Sequence, residues 1–168
     1  MSTSALAFTF AEMLAAQKVE LAKWEQWLLD QPSTLLDLPL DLAKGEDLRS
    51  ALFHIFRVEL MFAEALNGLR DPNASQDDIL ALPRQTVADL FAVHHRSFAL
   101  LEQWVAQATP QDAARIFARR ELRVSYKKAF IQAMEHTVRH LAQIAAALRK
   151  AGHPTGWNHD FILNPSMS

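Results

Sequence analysis

His136 and His140 stand four residues apart in a segment with helical periodicity, which places both imidazoles on one face, one turn apart, where they can grip a single ion. Two imidazoles hold a metal weakly, so the rest of the chain must supply a third donor. His54 is the candidate. With no cysteine in the chain, thiolate zinc sites, disulfides and cysteine nucleophiles are excluded, and any metal is held by nitrogen and oxygen. Three neutral imidazoles leave one open position on a tetrahedral ion, or three on an octahedral one, for water or substrate.

The elements that must position these residues are read from apolar spacing. Phe10, Leu14, Gln17, Leu21, Trp24 and Leu28 alternate steps of four and three, a helical stripe that Pro32 ends. Residues 31–43 carry two prolines and no period, which predicts an extended crossover packing some leucines against a bundle. A second stripe, Leu48, Leu52, Ile55, Glu59, Phe62 and Leu66, predicts a helix from about Glu46 to Asn67, stopped by Asn67-Gly68. Residues 68–83 form a connection with a short turn near 75–81. A third helix follows Val87, Phe91, His94, Phe98, Leu101 and Val105, ending before Thr109-Pro110.

Thr109-Pro110 is a good start for a helix from Gln111 to Phe117, and the charged run from Arg119 to Arg123 is expected to be a loop. The fourth helix, from about Ser125 to Ala151-Gly152, carries Tyr126, Phe130, Ala133, Thr137, His140 and Ile144. In the tail, Trp157, Phe161 and Ile162 are expected to lie on the bundle, while His153 and His159 are expected to be exposed. Trp24, Trp27, Trp104 and Phe130 fit packing or a subunit contact. No alternating Val/Ile/Thr pattern suggests a sheet. The expected architecture is all-α: one domain, residues 1–168, folded as a four-helix bundle with long crossover connections.

Each stripe is interrupted near its middle by a polar group: Gln17, Glu59, His94, and Thr137 with His140. Helix midpoints coincide in a bundle, so these groups should form a polar layer, and burying them unpaired costs about 1 to 3 kcal/mol each. His54 lies one residue off Ile55, at the edge of the second stripe. Antiparallel packing of the second and fourth helices sets it level with His140, and parallel packing sets it beside His136. Either way three imidazoles reach a similar height. His-Glu-x-x-His is absent, which excludes the zincin protease arrangement, and so is the Glu-x-x-His unit of carboxylate di-iron bundles.

At 168 residues the chain is long enough for one real core, and a formal net charge of -2 argues against a dedicated nucleic-acid or membrane-surface binder. No run approaches the ~18 apolar residues of a membrane span, so a cytoplasmic protein is expected. Arg115, Arg119, Arg120, Arg123, Lys127 and Lys128, opposed only by Glu121, form a basic face that a solvated surface explains as well as anion binding does.

These residues resemble the DinB (YfiT-like) superfamily of four-helix-bundle proteins. His54-Ile-Phe-Arg-Val-Glu59 is similar to the family's helix-two element, a metal-ligating histidine often followed by an acid. Glu135-His136-Thr-Val-Arg139-His140-Leu-Ala-Gln143 is similar to its Asn-His-x-x-His-His-Arg-Gly-Gln motif, departing at Glu135, Arg139 and Leu141-Ala142. The likeness continues through Leu148 to Gly152 and Asp160-Phe161. It implies a metal site made of His54, His136 and His140. It also implies thiol transferase or isomerase chemistry, in which a low-molecular-weight thiol is activated on the metal and transferred to or from a small-molecule substrate. An imidazole site suits Zn, Ni, Cu and Fe alike, and zinc or nickel is the expectation. Glu59, Glu135 and His94 are the candidates to orient a ligand imidazole or shuttle a proton. A homodimer is expected, and a non-catalytic metal-binding or stress-related bundle is the alternative function.

Overall fold

The computed structural model describes residues 9–42, 46–160 and 165. Helix α1 (Phe10–Leu29) opens on a capping box in which the Thr9 hydroxyl accepts from Glu12 N and the Glu12 carboxylate accepts from Thr9 N, satisfying two N-terminal donors that would otherwise lack partners. A 3-10 turn (Ser33–Asp37) follows Pro32. The crossover then runs extended beside the start of α2 (Leu48–Leu66): Leu40 N donates to Glu46 O, Leu48 N donates to Leu38 O, and Leu35, Leu36 and Leu40 are buried. Asp47 caps α2 by accepting from Ser50 N at 2.7 Å. Gly68, at φ +72, supplies the left-handed residue that ends it.

Two short helices, α3 (Asp77–Leu80) and α5 (Pro110–Ala114), flank α4 (Val87–Gln107), and α6 (Tyr126–Lys150) ends before Gly152 at φ +87. The four long helices carry the expected stripes. Leu14, Gln17, Leu21, Trp24 and Leu28 are buried on α1, and all six stripe residues from Leu48 to Leu66 are buried on α2. Helix α2 is the centre of the bundle and packs against α4 and α6, while α1 packs more lightly on the same two helices. The larger fully buried side chains, Trp24, Phe56, Phe91 and Phe130, fill the space between them. Among the described residues no helix is long and apolar enough to cross a membrane.

Between α5 and α6 the structure departs from the expectation of a longer helix followed by a charged loop. Helix α5 stops at Ala114, and β1 (Ile116–Arg119) pairs antiparallel with β2 (Leu122–Ser125), so that Phe117 faces Val124 and Ala118 faces Arg123. Phe117 is the inward residue, 1% exposed, and its ring lies 5.3 Å from Phe62. At the turn Arg120 takes φ +52; its N–H donates to Asn73 Oδ1, while Asn73 Nδ2 donates to Ala118 O, so the connection after α2 holds the hairpin tip. A second unanticipated feature is the buried Glu64 carboxylate, neutralised by Arg70 and Arg96, each at 2.5 Å.

The tail returns along α1. Trp157 Nε1 and His159 Nδ1 both donate to Glu20 Oε1, at 3.0 and 2.5 Å, and the Thr155 hydroxyl donates to His159 Nε2 at 2.8 Å. The Trp157 ring meets Trp24 and Trp27 edge-on, and His159 stacks on Trp24. His159 is therefore half-buried rather than exposed, because a carboxylate on α1 gives it a partner; His153 is exposed as expected. Phe161 and Ile162 lie outside the described residues.

Candidate metal centre

Helix α2 presents His54 and α6 presents His136 and His140. The ring of His54 is nearly equidistant from the other two, with centroid distances of 5.2 Å to His136 and 5.3 Å to His140, while the pair on α6 is 4.4 Å apart, so the three rings form a triangle. One nitrogen of each ring lies within 4.8 Å of the others, and all three side chains are half-buried. Nitrogens bound about 2.0–2.1 Å from a common tetrahedral ion sit roughly 3.3 Å apart, so side-chain rotations drawing each pair in by at most about 1.5 Å complete the set.

The electrostatics fit a cation held by neutral donors. Burial, reinforced by the neighbouring His140, His54, Arg139 and Arg57, pushes the His136 pKa down to about 3, so at neutral pH the ring carries a free lone pair. Its Nδ1 is buried and has no hydrogen-bond partner among the described residues. Such an atom is costly to leave unmatched, and a metal ion satisfies it. The three histidines are thus positioned to bind a metal ion, and the donor set, all nitrogen, admits Zn, Ni, Cu or Fe.

Two of the three rings, His54 and His140, line a cavity of about 500 Å³ walled by Glu46, Gln143 and the exposed Asp41–Lys150 ion pair. That pair ties the crossover to the last turn of α6 at 2.5 Å; Lys150 holds the Asp41 carboxyl below its ordinary value. On the other side, Arg57 Nη2 donates to His54 Nδ1 at 3.1 Å and Arg57 Nη1 donates to Gln76 Oε1 at 2.9 Å. Burial pulls Arg57 below its ordinary pKa, Glu46 opposes this, and Arg119 adds to it.

Only part of the expected polar layer forms: Glu59, which is 0% exposed, gathers His94 and Thr137, whereas His140 turns to the histidine cluster. The Glu59 carboxylate accepts from His94 Nδ1 at 2.9 Å, from Ser97 Oγ at 2.5 Å and from Thr137 Oγ1 at 3.3 Å. Glu59 and His94 are therefore bonded to each other in the core. Gln17 stands apart, its Nε2 donating to Met134 O at 3.4 Å. Glu135 is exposed, 3.5 Å from Arg139, and lines a different cavity, between α1 and α6. Sequence reasoning passed over Ser97, although its position one turn after His94 on α4 was a usable sign, and Arg57, which stands one turn after His54.

An all-α bundle whose second and last long helices converge three imidazoles beside an open cavity defines a class of metal-binding helical proteins. The chain belongs to the DinB family, whose family model matches residues 1–165. No curated protein matches the chain.

Proposed function

We propose that the protein is a metal-dependent enzyme of the DinB type that transfers or isomerises a low-molecular-weight thiol adduct of a small-molecule substrate. The observation that carries this reading is the opening of His54 and His140, together with His136 behind them, onto a cavity large enough for a small ligand. His54, His136 and His140 would hold a divalent ion, with zinc or nickel the favoured identities. When bound, such an ion lowers the pKa of a thiol or water and polarises a carbonyl. The chain's own part is to hold His136 uncharged at neutral pH, through its burial, and to give the substrate a walled approach. Gln143 offers a hydrogen-bonding side chain at the cavity wall, and Glu46 offers an acceptor for a substrate proton.

A second reading, a non-catalytic metal-binding bundle, is favoured by one observation: Glu59 and His94, the strongest acid–base candidates by residue type, are engaged with each other in the core rather than at the cavity. Two measurements test the pair of readings. Elemental analysis of the purified protein should find about one divalent ion per chain, as expected of a three-histidine site. His136→Ala and His140→Ala should lose it, and undiminished metal in both variants would remove the site. A panel of thiols with electrophilic acceptors, assayed with and without added metal, should then show metal-dependent turnover; its absence on every pair, with metal bound, leaves the non-catalytic bundle.

A further inference from the structure

Arg57 stands one helical turn after His54 on α2, and its guanidinium points back onto that ring: Nη2 lies 3.1 Å from His54 Nδ1. A guanidinium has donors only, so Nδ1 must act as the acceptor and the ring proton must sit on Nε2. This is the reverse of the usual arrangement around a metal-bound histidine, whose second nitrogen donates its N–H to a carboxylate or carbonyl oxygen.

The consequence follows for either ring nitrogen. Ligation through Nδ1 uses the lone pair that Arg57 now occupies. Ligation through Nε2 moves the ring proton to Nδ1, where an N–H would face the N–H of Arg57. Short of stripping the ring of both protons, a metal bond at His54 and this hydrogen bond exclude each other. Arg57 is also held from behind, because Gln76 accepts from its Nη1 and in turn donates to Met61 Sδ at 3.0 Å. The guanidinium therefore arrives at His54 on a braced arm rather than by the wandering of a surface side chain.

We infer that Arg57 is a positioning residue that competes with the metal for His54: it fixes the ring in the Nε2–H form, and metal binding requires it to withdraw. It thereby sets how tightly the site holds its ion. The inference rests on the three-histidine reading of the site.

The test uses the full chain stripped of metal and titrated with Co²⁺, followed by its visible absorption, and with Zn²⁺ against a chelating competitor. Arg57→Met should bind both ions on the order of ten-fold more tightly than wild type, the worth of losing one charge-assisted hydrogen bond. Gln76→Leu, which frees the arm without removing it, should fall between the two. Nitrogen-15 NMR of the metal-free wild type should show His54 in the Nε2–H tautomer, and Arg57→Met should relax that preference; circular dichroism checks that both variants fold. Unchanged or weaker binding by Arg57→Met, or an Nδ1–H tautomer in the wild type, overturns the inference while leaving the metal site intact, provided His136→Ala still abolishes binding. Failure of the wild type to bind either ion removes the site and this inference together.

Discussion

Replacing Glu59 by leucine isolates the energetics of the buried layer. The carboxylate has three donors, but they do not lose equally when it goes. Ser97 Oγ also lies 2.8 Å from His94 O, and Thr137 Oγ1 lies 3.2 Å from Ala133 O, so each hydroxyl proton has a second acceptor in place. Only the His94 Nδ1–H is left without one. One orphaned buried donor costs about 1 to 3 kcal/mol, and leucine fills most of the vacated volume, so Glu59→Leu should be destabilised by roughly that amount. His94→Phe leaves a buried carboxylate short of a partner and should cost about 3 to 5 kcal/mol. The double variant removes both members of the pair, and His94 already packs among Phe56, Phe91 and Phe98, so a phenyl ring suits the site. It should be markedly more stable than the sum of the single losses predicts, by a coupling of about 1 to 3 kcal/mol. Urea denaturation followed by the helical circular-dichroism signal reads this directly: with a slope of about 2 kcal/mol per molar, a loss of 2 kcal/mol moves the midpoint by roughly 1 M. Metal content should stay at the wild-type level in all three, because the layer holds none of the three imidazoles. Additive losses, or a Glu59→Leu midpoint indistinguishable from wild type, would refute the account of a mutually satisfied layer.

Two other outcomes follow from the structure. The folded-state pKa of His136, about 3 against an ordinary 6.5, means that below pH 6.5 the unfolded chain takes up a proton that the folded one refuses. Its contribution to metal-free stability is therefore full above pH 6.5 and is lost as pH falls from there toward 3. Water at the half-exposed ring screens the effect to about 2 kcal/mol or less. Denaturation at pH 7 and pH 5 should show a smaller drop for His136→Phe than for wild type, and an equal drop would contradict the assignment. Phe117→Ala empties the hairpin's fully buried anchor in the core and should cost about 3 to 5 kcal/mol, measured by thermal or urea melting, whereas the same change at exposed Ile116 should fall within about 0.5 kcal/mol.

The long helices were legible because each carries an apolar stripe of four to six residues at a period that only a helix satisfies; in the structure Thr9, Asp47 and Thr86 fix three of their starts with side chains that accept from the first turn. The histidine cluster was legible for a related reason. Spacing of four fixes His136 and His140 on one face, and coincident helix midpoints set the level of His54. The hairpin was not, because its strands are four residues long, only Phe117 points fully inward, and the charges of Arg119, Arg120, Glu121 and Arg123 hide the alternation. Contacts that close over long stretches of chain from an aperiodic segment, such as His159 on Glu20, leave no periodic trace.

The docking of the tail on α1 gathers three of the chain's four tryptophans, Trp24, Trp27 and Trp157, with ring centroids 5.6 to 6.5 Å apart. Indoles so close exchange excitation energy and quench one another. The protein thus carries a built-in optical gauge of one end of its bundle: lifting of residues 153–160 from Glu20 would shift emission and lifetime before the core itself melts, with no dye attached.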